Sequence, residues 1–348
     1  MAGIEIRNLR KQFGDLHAVD GVDLSVRDGE FLVLLGSSGS GKTTLLRMIA
    51  GLERPTAGEI SIGGARVDGD VPPRARGIAM VFQSYALYPH RTVFQNIAFP
   101  LEASRTPRAQ IEEKVRWAAD MFSISRYLDR YPRQLSGGER QRVALCRALV
   151  RDPKVFLLDE PLANLDAKLR NTARDDLKRF QRQIRTTTVY VTHDQVEAMG
   201  LGDRIAVMER GKVRQLGTPQ EVYEDPVDTF VATFVGQPPM NLLDLRDPAL
   251  PPRTLVGFRP EHFLPRGVFG PGEDTRSFNF SVRRVEYLGS DRYVYGSVAE
   301  SGATDATIIA KLPATIALAI PEGETHAFAV PRRTLRYFDA ETGLRRTV

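Results

Sequence analysis

The sequence has a single cysteine, a single tryptophan and no long hydrophobic run, and these scarcities exclude several classes of protein. With Cys146 alone, the chain cannot form an internal disulfide or a metal site built from several thiolates. Apolar runs such as Phe31–Leu35 are far shorter than the ~18 residues that a membrane-spanning helix needs. The first residues also lack the basic stretch and apolar stretch of a secretion signal, so we expect a cytosolic setting.

The charges are nearly balanced for a chain of 348 residues. Lysine and arginine total 48 against 43 aspartate and glutamate, which gives a formal net charge of +5. The basic residues are dispersed, which is compatible with a phosphate-bearing ligand or an anionic membrane surface but indicates no nucleic-acid partner. At roughly 100–200 residues per domain, the length predicts two domains.

Three apolar segments predict strands of one mostly parallel sheet. They are Phe31–Leu35, Val155–Leu158 and Thr188–Thr192, and each leads into a polar loop and then a helical pattern. Continuous apolar runs are typical of strands buried on both faces, and such sheets carry their chemistry at the carboxyl ends of the strands. Residues 90–150 are expected to be mainly helical, so the first domain is of the α/β class.

The pattern changes around Gln237-Pro238-Pro239. Beyond this point, short β-type runs such as Phe278–Val285 and Thr325–Val330 alternate with glycine, proline and aspartate. This spacing predicts a second, all-β domain of barrel type that begins near Met240.

One loop matches the pattern G-x-x-x-x-G-K-[ST] of phosphate-binding loops. Its residues are Gly36, Ser37, Ser38, Gly39, Ser40, Gly41, Lys42 and Thr43. Glycines let the backbone turn its N–H groups towards phosphate oxygens, and the following helix directs its positive end at them. Lys42 is expected to bind the β- and γ-phosphates, and the Thr43 hydroxyl suits Mg²⁺. A plain turn with a surface lysine is the alternative, and the buried strand before the loop argues against it.

Two carboxylates follow the predicted strand Val155–Leu158. Asp159 is placed to hold Mg²⁺, and Glu160, which projects to the other side, is placed to act as the general base that activates water. Strands often end in an acidic residue that only caps the next helix, which is the structural alternative. Beside a phosphate-binding loop, we favour the catalytic interpretation.

A second glycine-rich helix start lies at Leu135–Gln141. Ser136 is a typical N-cap, and Gly137 and Gly138 leave bare N–H groups that suit an anion. A capping box between Ser136 and Glu139 describes the local structure. It does not explain two glycines in a first turn, where each costs about 1 kcal/mol of helix propensity.

Gln83 and His193 each follow a predicted strand, Ile78–Phe82 and Thr188–Thr192. Gln83 is expected to reach the metal or the attacking water. Taken singly, a glutamine or histidine at a strand end is more often structural. The functional interpretation of Gln83 and His193 therefore depends on the presence of the other motifs.

Together these motifs resemble the ATPase subunit of ATP-binding cassette (ABC) transporters over about residues 4–235. The phosphate-binding loop, Gln83, the Leu135–Gln141 signature, Asp159-Glu160, the loop Ala163–Asp166 and His193 stand in the order of that family. The segments Ser84–His90, Gly217–Leu243 and Gly257–Glu261 are similar to the maltose/trehalose-type carbohydrate importers.

The resemblance implies a fold and its division along the chain. Residues 1–236 would form an α/β, P-loop NTPase nucleotide-binding domain of the ABC type, with a helical subdomain at about residues 88–150. Residues 240–348 would form an all-β, OB-like regulatory domain of the TOBE type. The stretch after Leu243 is short beside the larger carbohydrate-importer subunits, which leaves the regulatory contacts of this domain open.

The resemblance also implies ATP and Mg²⁺ as ligands. The catalytic residues would be Lys42, Gln83, Glu160 and His193, and Mg²⁺ would be held by Thr43, Gln83 and Asp159. ATP would be bound by the phosphate-binding loop, by Thr44 and by Phe13, whose ring would stack on adenine. The alternative for Phe13 is an ordinary place in a hairpin core.

Two copies of the chain would face each other head to tail. The signature residues of one copy would then contact the nucleotide of the other, through Leu135, Ser136, Gly137, Gly138, Glu139 and Gln141. In the loop between the copies, Ala163 stands where the family usually has serine, so only Asp166 is carried over.

Transport would require partners, which the resemblance also implies. These are two integral membrane permease subunits and, indirectly, an extracytoplasmic solute-binding protein, with the ATPase as a peripheral protein on the cytoplasmic face of the inner membrane. Tyr85, Leu87 and Tyr88 are expected to be exposed in a groove for a permease helix, and ordinary packing is their alternative. A regulatory protein bound to the C-terminal domain stays open.

The function implied is ATP hydrolysis coupled to solute uptake, with a sugar or related polyol as the favoured solute. A non-sugar solute such as a polyamine, glycerol phosphate, iron or sulfate is the alternative. A nucleic-acid-linked ATPase of the same family is less favoured, because the sequence shows one cassette and no sustained heptads between Lys42 and Ser136.

Overall fold

A computed structural model of the chain describes residues 2–67, 69, 71–245, 248–299, 307–316 and 318–347. It divides the chain into two compact units, Met1–Pro219 and Gln220–Val348. Met1 and Val348, the outermost residues of the two expected domains, lie outside the described residues.

The first unit is built from strands and helices in alternation. Its strands are β1 (Ile4–Phe13), β2 (Leu16–Val26), β3 (Phe31–Leu35), β4 (Ala57–Ile62), β5 (Ala65–Arg66), β6 (Ile78–Val81), β7 (Val155–Asp159), β8 (Thr187–Thr192), β9 (Arg204–Glu209) and β10 (Lys212–Gly217). Its helices are α1 (Lys42–Ala50), α2 (Val93–Ala103), α3 (Arg108–Met121), α4 (Gly137–Leu149), α5 (Ala167–Ile184) and α6 (Gln195–Leu201).

The predicted parallel strands are neighbours in one sheet, which confirms the α/β class. The strand order is β10-β9-β3-β8-β7-β6, and every pair is parallel except β9 with β10. Residues of β3, β7 and β8 are fully buried, because both faces of the sheet are covered. The loops after these three strands therefore emerge at one edge of the sheet.

A second, antiparallel sheet of order β2-β1-β4-β5 shares its core with the parallel one. Ile4 of β1, Leu45 of α1 and Val189 of β8 belong to the same buried cluster. Helix α1 thus lies between the two sheets, and its first turn is held at the edge where the loops emerge.

The middle of the unit is helical, as expected for residues 90–150. Helix α2 begins with a capping box between Thr92 and Gln95. Fully buried Asn96 binds the backbone on either side of it, accepting from the Tyr88 N–H and donating to the Tyr88, Arg91 and Thr92 carbonyls. This amide fixes the segment that precedes α2.

The second unit is mainly antiparallel β structure. Its helices are α7 (Pro219–Glu224), which crosses the unit boundary, and α8 (Thr229–Phe234), and its strands are β11 (Asn241–Asp244), β12 (Thr254–Phe258), β13 (Leu264–Pro265), β14 (Thr275–Tyr287), β15 (Asp291–Val298), β16 (Ile308–Pro313), β17 (Thr325–Pro331), β18 (Arg336–Asp339) and β19 (Arg345–Arg346). The strands form two sheets, β11-β12-β18-β19 and β13-β17-β14-β15-β16. Phenylalanines fill the core, with Phe263 against Phe258, Phe278, Phe280 and Phe328.

The second unit begins about twenty residues before the expected start near Met240, because it includes a helical segment. Buried Arg259 explains this: its guanidinium donates to the backbone carbonyls of Tyr223, Ala232 and Val235. These bonds attach α7 and α8 to the β structure. The change of composition at Pro238-Pro239 therefore marks the start of the strands and not the start of the compact unit.

Within the described ranges, every helix is too short or too polar to cross a bilayer.

Candidate functional site

The predicted phosphate-binding loop joins β3 to α1. Gly39 and Gly41 have φ angles of +79° and +100°, which side-chain-bearing residues rarely adopt. A Cβ on Gly41 would also lie 2.3 Å from the Ala18 carbonyl oxygen, so only glycine fits. Gly41 precedes α1 without a side-chain cap, and the first turn of α1 keeps N–H groups that suit an anion.

Lys42 and Thr43 occupy the first turn of α1. The Lys42 Nζ donates to the carbonyl oxygens of Gly36 and Ser37, at 2.8 and 2.7 Å, inside the curve of the loop. Burial lowers the pKa of Lys42, and the nearby Glu160 and Asp159 carboxylates oppose this. The Thr43 hydroxyl donates to Asp159 Oδ1 at 3.1 Å, which joins the loop to the end of β7.

Asp159 and Glu160 diverge at the end of β7. Asp159 is 6% exposed, and burial raises the pKa of its carboxyl although the Thr43 hydroxyl donates to it. Glu160 has a left-handed backbone with φ of +45°, and its N–H donates to the Val191 carbonyl of β8. The loop after β7 is thus held by the neighbouring strand.

His193 follows β8 and lies against Glu160. Its Nδ1 is 3.2 Å from Glu160 Oε2, and 60% of its side chain is exposed. The sheet therefore brings together Lys42, Thr43, Asp159, Glu160 and His193 from the ends of three adjacent strands.

A cavity of about 560 Å³ opens over the phosphate-binding loop, a volume within the range of ligand pockets. It is lined by Phe13, Leu16, His17, Ala18, Ser38, Gly39, Gly41, Lys42, Thr43, Thr44, Glu160 and Arg210. The Phe13 ring is 46% exposed, and the Lys11 Nζ is 4.6 Å from its centroid. Phe13 thus lines the cavity beside the loop.

Sequence reasoning missed the contribution of the hairpins to this cavity. Arg210, in the turn between β9 and β10, adds a cationic side chain, and Leu16, His17 and Ala18 come from the start of β2. Contacts between segments so far apart in sequence leave no local pattern. The one available signal was the glycine at 211, which marks the turn.

The signature residues lie at the start of α4, outside the lining of this cavity. Ser136 and Glu139 form the expected capping box, and Gly138 has open space where a Cβ would stand. Leu135 and Gln141 are buried, at 5% and 1% exposure. Their side chains are therefore not presented on the surface with Ser136, Gly137 and Gly138.

Gln83 and Asp166 belong to two loops that are linked. The side-chain amide of Asn164 donates to the Gln83 carbonyl at 2.8 Å, and the Gln83 side chain is exposed. The Asp166 carboxylate accepts the Leu169 N–H and caps α5. Neither Gln83 nor Asp166 lines the cavity over the phosphate-binding loop.

A second cavity, of about 630 Å³, lies between β6, α2 and α4. Tyr88, Phe82 and Phe99 line it together with Arg147. Of the three residues expected in a groove, Tyr88 lies in this wall and Leu87 is half-buried beside it. Tyr85 is 5% exposed, so the expectation of an exposed ring is wrong there, because the ring packs into the unit.

The donors around Thr43 and Asp159 fit Mg²⁺. In the part of the chain that the structure describes, no three His, Cys, Asp or Glu side chains form a metal cage. Mg²⁺ bound with a nucleotide does not need one, because it takes one or two protein oxygens and completes its shell with phosphates and water. Thr43 Oγ1 and Asp159 Oδ1 are such oxygens, 3.1 Å apart.

The chain is similar to one protein family and to proteins of known name. A family model described as "ABC transporter" matches residues 19–163. The sn-glycerol-3-phosphate import ATP-binding protein of Cereibacter sphaeroides is 48% identical over 99% of this chain and 100% of its own length. The trehalose import ATP-binding protein of Mycobacterium tuberculosis is 44% identical over 100% of this chain and 99% of its own. The trehalose/maltose import ATP-binding protein of Thermococcus litoralis is 59% identical over 70% of this chain and 67% of its own.

Solved structures give the same result for the fold. A dimeric ATP-binding cassette in a post-hydrolysis state, bound to ADP and Pi, superposes with a TM-score of 0.56 and 32% identity over 62% of this chain and 98% of that one. A component of an ABC transporter complex from Clostridium perfringens gives a TM-score of 0.59 and 29% identity over 63% of this chain and 89% of that one.

Proposed function

Because the chain belongs to the ATP-binding subunits of ABC transporters, we propose that it hydrolyses ATP to drive the import of a sugar or related polyol. One observation carries the proposal. The ends of β3, β7 and β8 place a phosphate-binding loop, two divergent carboxylates and a histidine at one sheet edge, beside a cavity of nucleotide size.

In this proposal ATP enters the cavity with its triphosphate in the loop. The N–H groups of Gly36–Thr44 and the Lys42 ammonium bind the phosphates, while Phe13 stacks on adenine. Thr43 and Asp159 would hold Mg²⁺, together with Gln83 from its loop. Bound there, the metal would supply positive charge that stabilises the phosphate oxygens.

Hydrolysis requires a base for water on the far side of the γ-phosphate. Glu160 accepts a proton from water as the water oxygen attacks phosphorus, and the bond to the β-γ bridging oxygen breaks to release ADP. His193, in contact with Glu160 through Nδ1, holds the γ-phosphate with its other ring nitrogen. Lys42 stabilises the charge that develops on the phosphate oxygens.

The signature is proposed to act on a second copy of the chain. At the start of α4, Ser136 is exposed and Gly137 and Gly138 are half-buried, and none of the three lines the cavity of its own chain. In a head-to-tail homodimer they would complete the donors around the γ-phosphate of the partner copy. Buried Leu135 and Gln141 and the capping Glu139 would support this helix start, and Asp166 would lie in the loop between the copies.

The transporter would supply the remaining partners. The cavity lined by Phe82, Tyr88 and Phe99 has the apolar lining that suits a helix from a permease subunit, two of which would anchor the dimer on the cytoplasmic face of the inner membrane. An extracytoplasmic binding protein would deliver the solute. We assign the first unit to the ATPase domain and the β structure of the second unit, from Asn241 onwards, to an OB-like regulatory domain, where a regulatory protein could bind.

The full-length relatives favour two solute classes. One imports sn-glycerol-3-phosphate and the other trehalose, by their names. Uptake of each radiolabelled solute, measured in a strain that lacks the gene and in the complemented strain, decides between them. Restored trehalose uptake would support a sugar as the solute. Restored uptake of sn-glycerol-3-phosphate alone would show that the solute is the phosphorylated polyol.

Hydrolysis is tested with Glu160→Gln and the matched control Glu112→Gln, an exposed glutamate of α3. Glu160→Gln is expected to bind MgATP and to form an ATP-dependent dimer on size-exclusion chromatography. Its turnover should fall by about 100-fold or more, because the base is lost. Near-normal turnover in Glu160→Gln would remove Glu160 from this role.

A further inference from the structure

The segment that follows Gln83 has an unfavourable backbone. Tyr85 and Ala86 are consecutive non-glycine residues with φ angles of +62° and +47°. Left-handed backbone brings Cβ close to the following carbonyl oxygen, so non-glycine residues adopt it rarely and then mostly singly. Such a pair persists only where surrounding contacts hold it.

Arg147 of α4 makes those contacts. Its Nη1 donates to the Ala86 carbonyl and its Nη2 to the Tyr85 carbonyl, both at 2.7 Å. The planar guanidinium thus binds both left-handed peptides at once, a geometry that a lysine ammonium does not reproduce. Burial lowers the pKa of Arg147, which marks a desolvated charge that is engaged by the backbone.

The position of Arg147 connects three parts of the first unit. It lies in the last turn of α4, whose first turn carries Gly137 and Gly138. The clamped peptides begin two residues after Gln83, whose own carbonyl accepts from Asn164. They end two residues before Tyr88, a wall of the cavity between β6, α2 and α4.

We propose that Arg147 is a positioning residue for ATP hydrolysis. By binding the Tyr85 and Ala86 carbonyls to α4, it fixes the position of the Gln83 segment relative to the helix that carries the signature. The segment, the cavity wall at Tyr88 and the signature helix then move together. This inference rests on the proposed ATPase function and goes beyond it by naming the residue that joins these parts.

The test compares Arg147→Met and Arg147→Lys with the same changes at Arg116, an exposed arginine of α3 that lies outside the lining of this cavity. In Arg147→Met, amide hydrogen exchange in residues 83–88 is expected to accelerate about tenfold, because the clamp is gone. The kcat for MgATP should fall about fivefold while KM stays within about twofold, because the phosphate-binding loop is untouched. The values for Arg147→Lys should lie between those of Arg147→Met and the wild type, and both Arg116 variants should match the wild type.

A rescue separates positioning from a loss of folding. Asparagine adopts left-handed backbone several times more often than other non-glycine residues, so Ala86→Asn should restore part of the conformation without the clamp. Added to Arg147→Met, it is expected to recover about a third or more of the lost kcat and of the lost exchange protection. Melting temperatures of all variants verify that the fold is kept.

Two results would overturn the inference. One is unchanged exchange in residues 83–88 when Arg147 is replaced by methionine. The other is a loss of kcat that Ala86→Asn leaves untouched in a variant that remains folded. If the wild type itself hydrolysed no ATP, the proposed function would fail, whereas the exchange measurement would still decide whether the clamp exists.

Discussion

Replacing Phe13 by alanine measures how much stacking of the adenine ring contributes to nucleotide binding. The ring is 46% exposed at the cavity, and the Lys11 ammonium lies 4.6 Å from its centroid. A base stacked on an aromatic side chain contributes about 1–3 kcal/mol. Because Lys11 occupies one face and leaves one face for adenine, we expect the lower part of that range, about 1–2 kcal/mol.

This energy corresponds to a loss of about 5- to 30-fold in affinity. Isothermal titration calorimetry with a non-hydrolysable ATP analogue and Mg²⁺ measures it, with tripolyphosphate as a ligand that has no base. Affinity for tripolyphosphate should stay within about twofold, because the loop and Lys42 are unchanged. Phe13→Trp should keep the affinity for the analogue.

The control is Leu52→Ala, which removes another half-exposed apolar side chain of the first unit, away from the cavity. Both alanine variants should lose some stability, and only Phe13→Ala should lose affinity for the analogue. An equal loss for tripolyphosphate would show that Phe13 acts on the loop. Unchanged affinity for both ligands would show that Phe13 only packs within its hairpin and does not bind adenine.

Two further predictions concern buried charges. Burial raises the folded pKa of Asp159 above its unfolded value, so stability is lost as the pH rises through the interval between the two values. Asp159→Asn should therefore raise the Tm of the free protein at pH 7 by about 2 °C, as measured by calorimetry. The same change should weaken MgATP binding. A Tm below that of the wild type would contradict this reasoning. In the second unit, Arg259→Met removes the hydrogen bonds of the guanidinium to three backbone carbonyls, of which that of Ala232 still accepts the Met240 N–H, and it should lower the free energy of unfolding in urea by about 3 kcal/mol. The exposed control Arg253→Met should change it by less than about 1 kcal/mol, and equal effects would show that the buried bonds add nothing.

The parallel sheet could be predicted because its strands are buried on both faces. The runs Phe31–Leu35 and Val155–Leu158 correspond to β3 and β7, with Asp159 added to the end of β7. Thr188–Thr192 corresponds to β8, which begins one residue earlier. Once these strands are adjacent, the residues after them must meet, which is why Lys42, Glu160 and His193 lie together.

Other features could not be predicted, because they depend on contacts between distant segments. Arg210 reaches the cavity through the pairing of β9 with β10, and no motif surrounds it. Tyr85 lies within a turn, where the sequence has no periodicity, so nothing local shows that its ring is buried. The composition changes at Pro238-Pro239, but the buried Arg259 guanidinium that binds α7 and α8 to the second unit has no signature in sequence.

The capping role of Asp166 has a mechanical consequence. Its carboxylate ends the loop that includes Asn164 and also accepts the N–H that starts α5. At 1.5 Å per residue, α5 is a rod of about 27 Å. A displacement at the tip of this loop cannot be absorbed by fraying, because the rod is fastened to it by its first turn. The displacement is instead transmitted to the first turn of α5, while the far half of the helix is held by the buried side chains of Leu177 and Phe180.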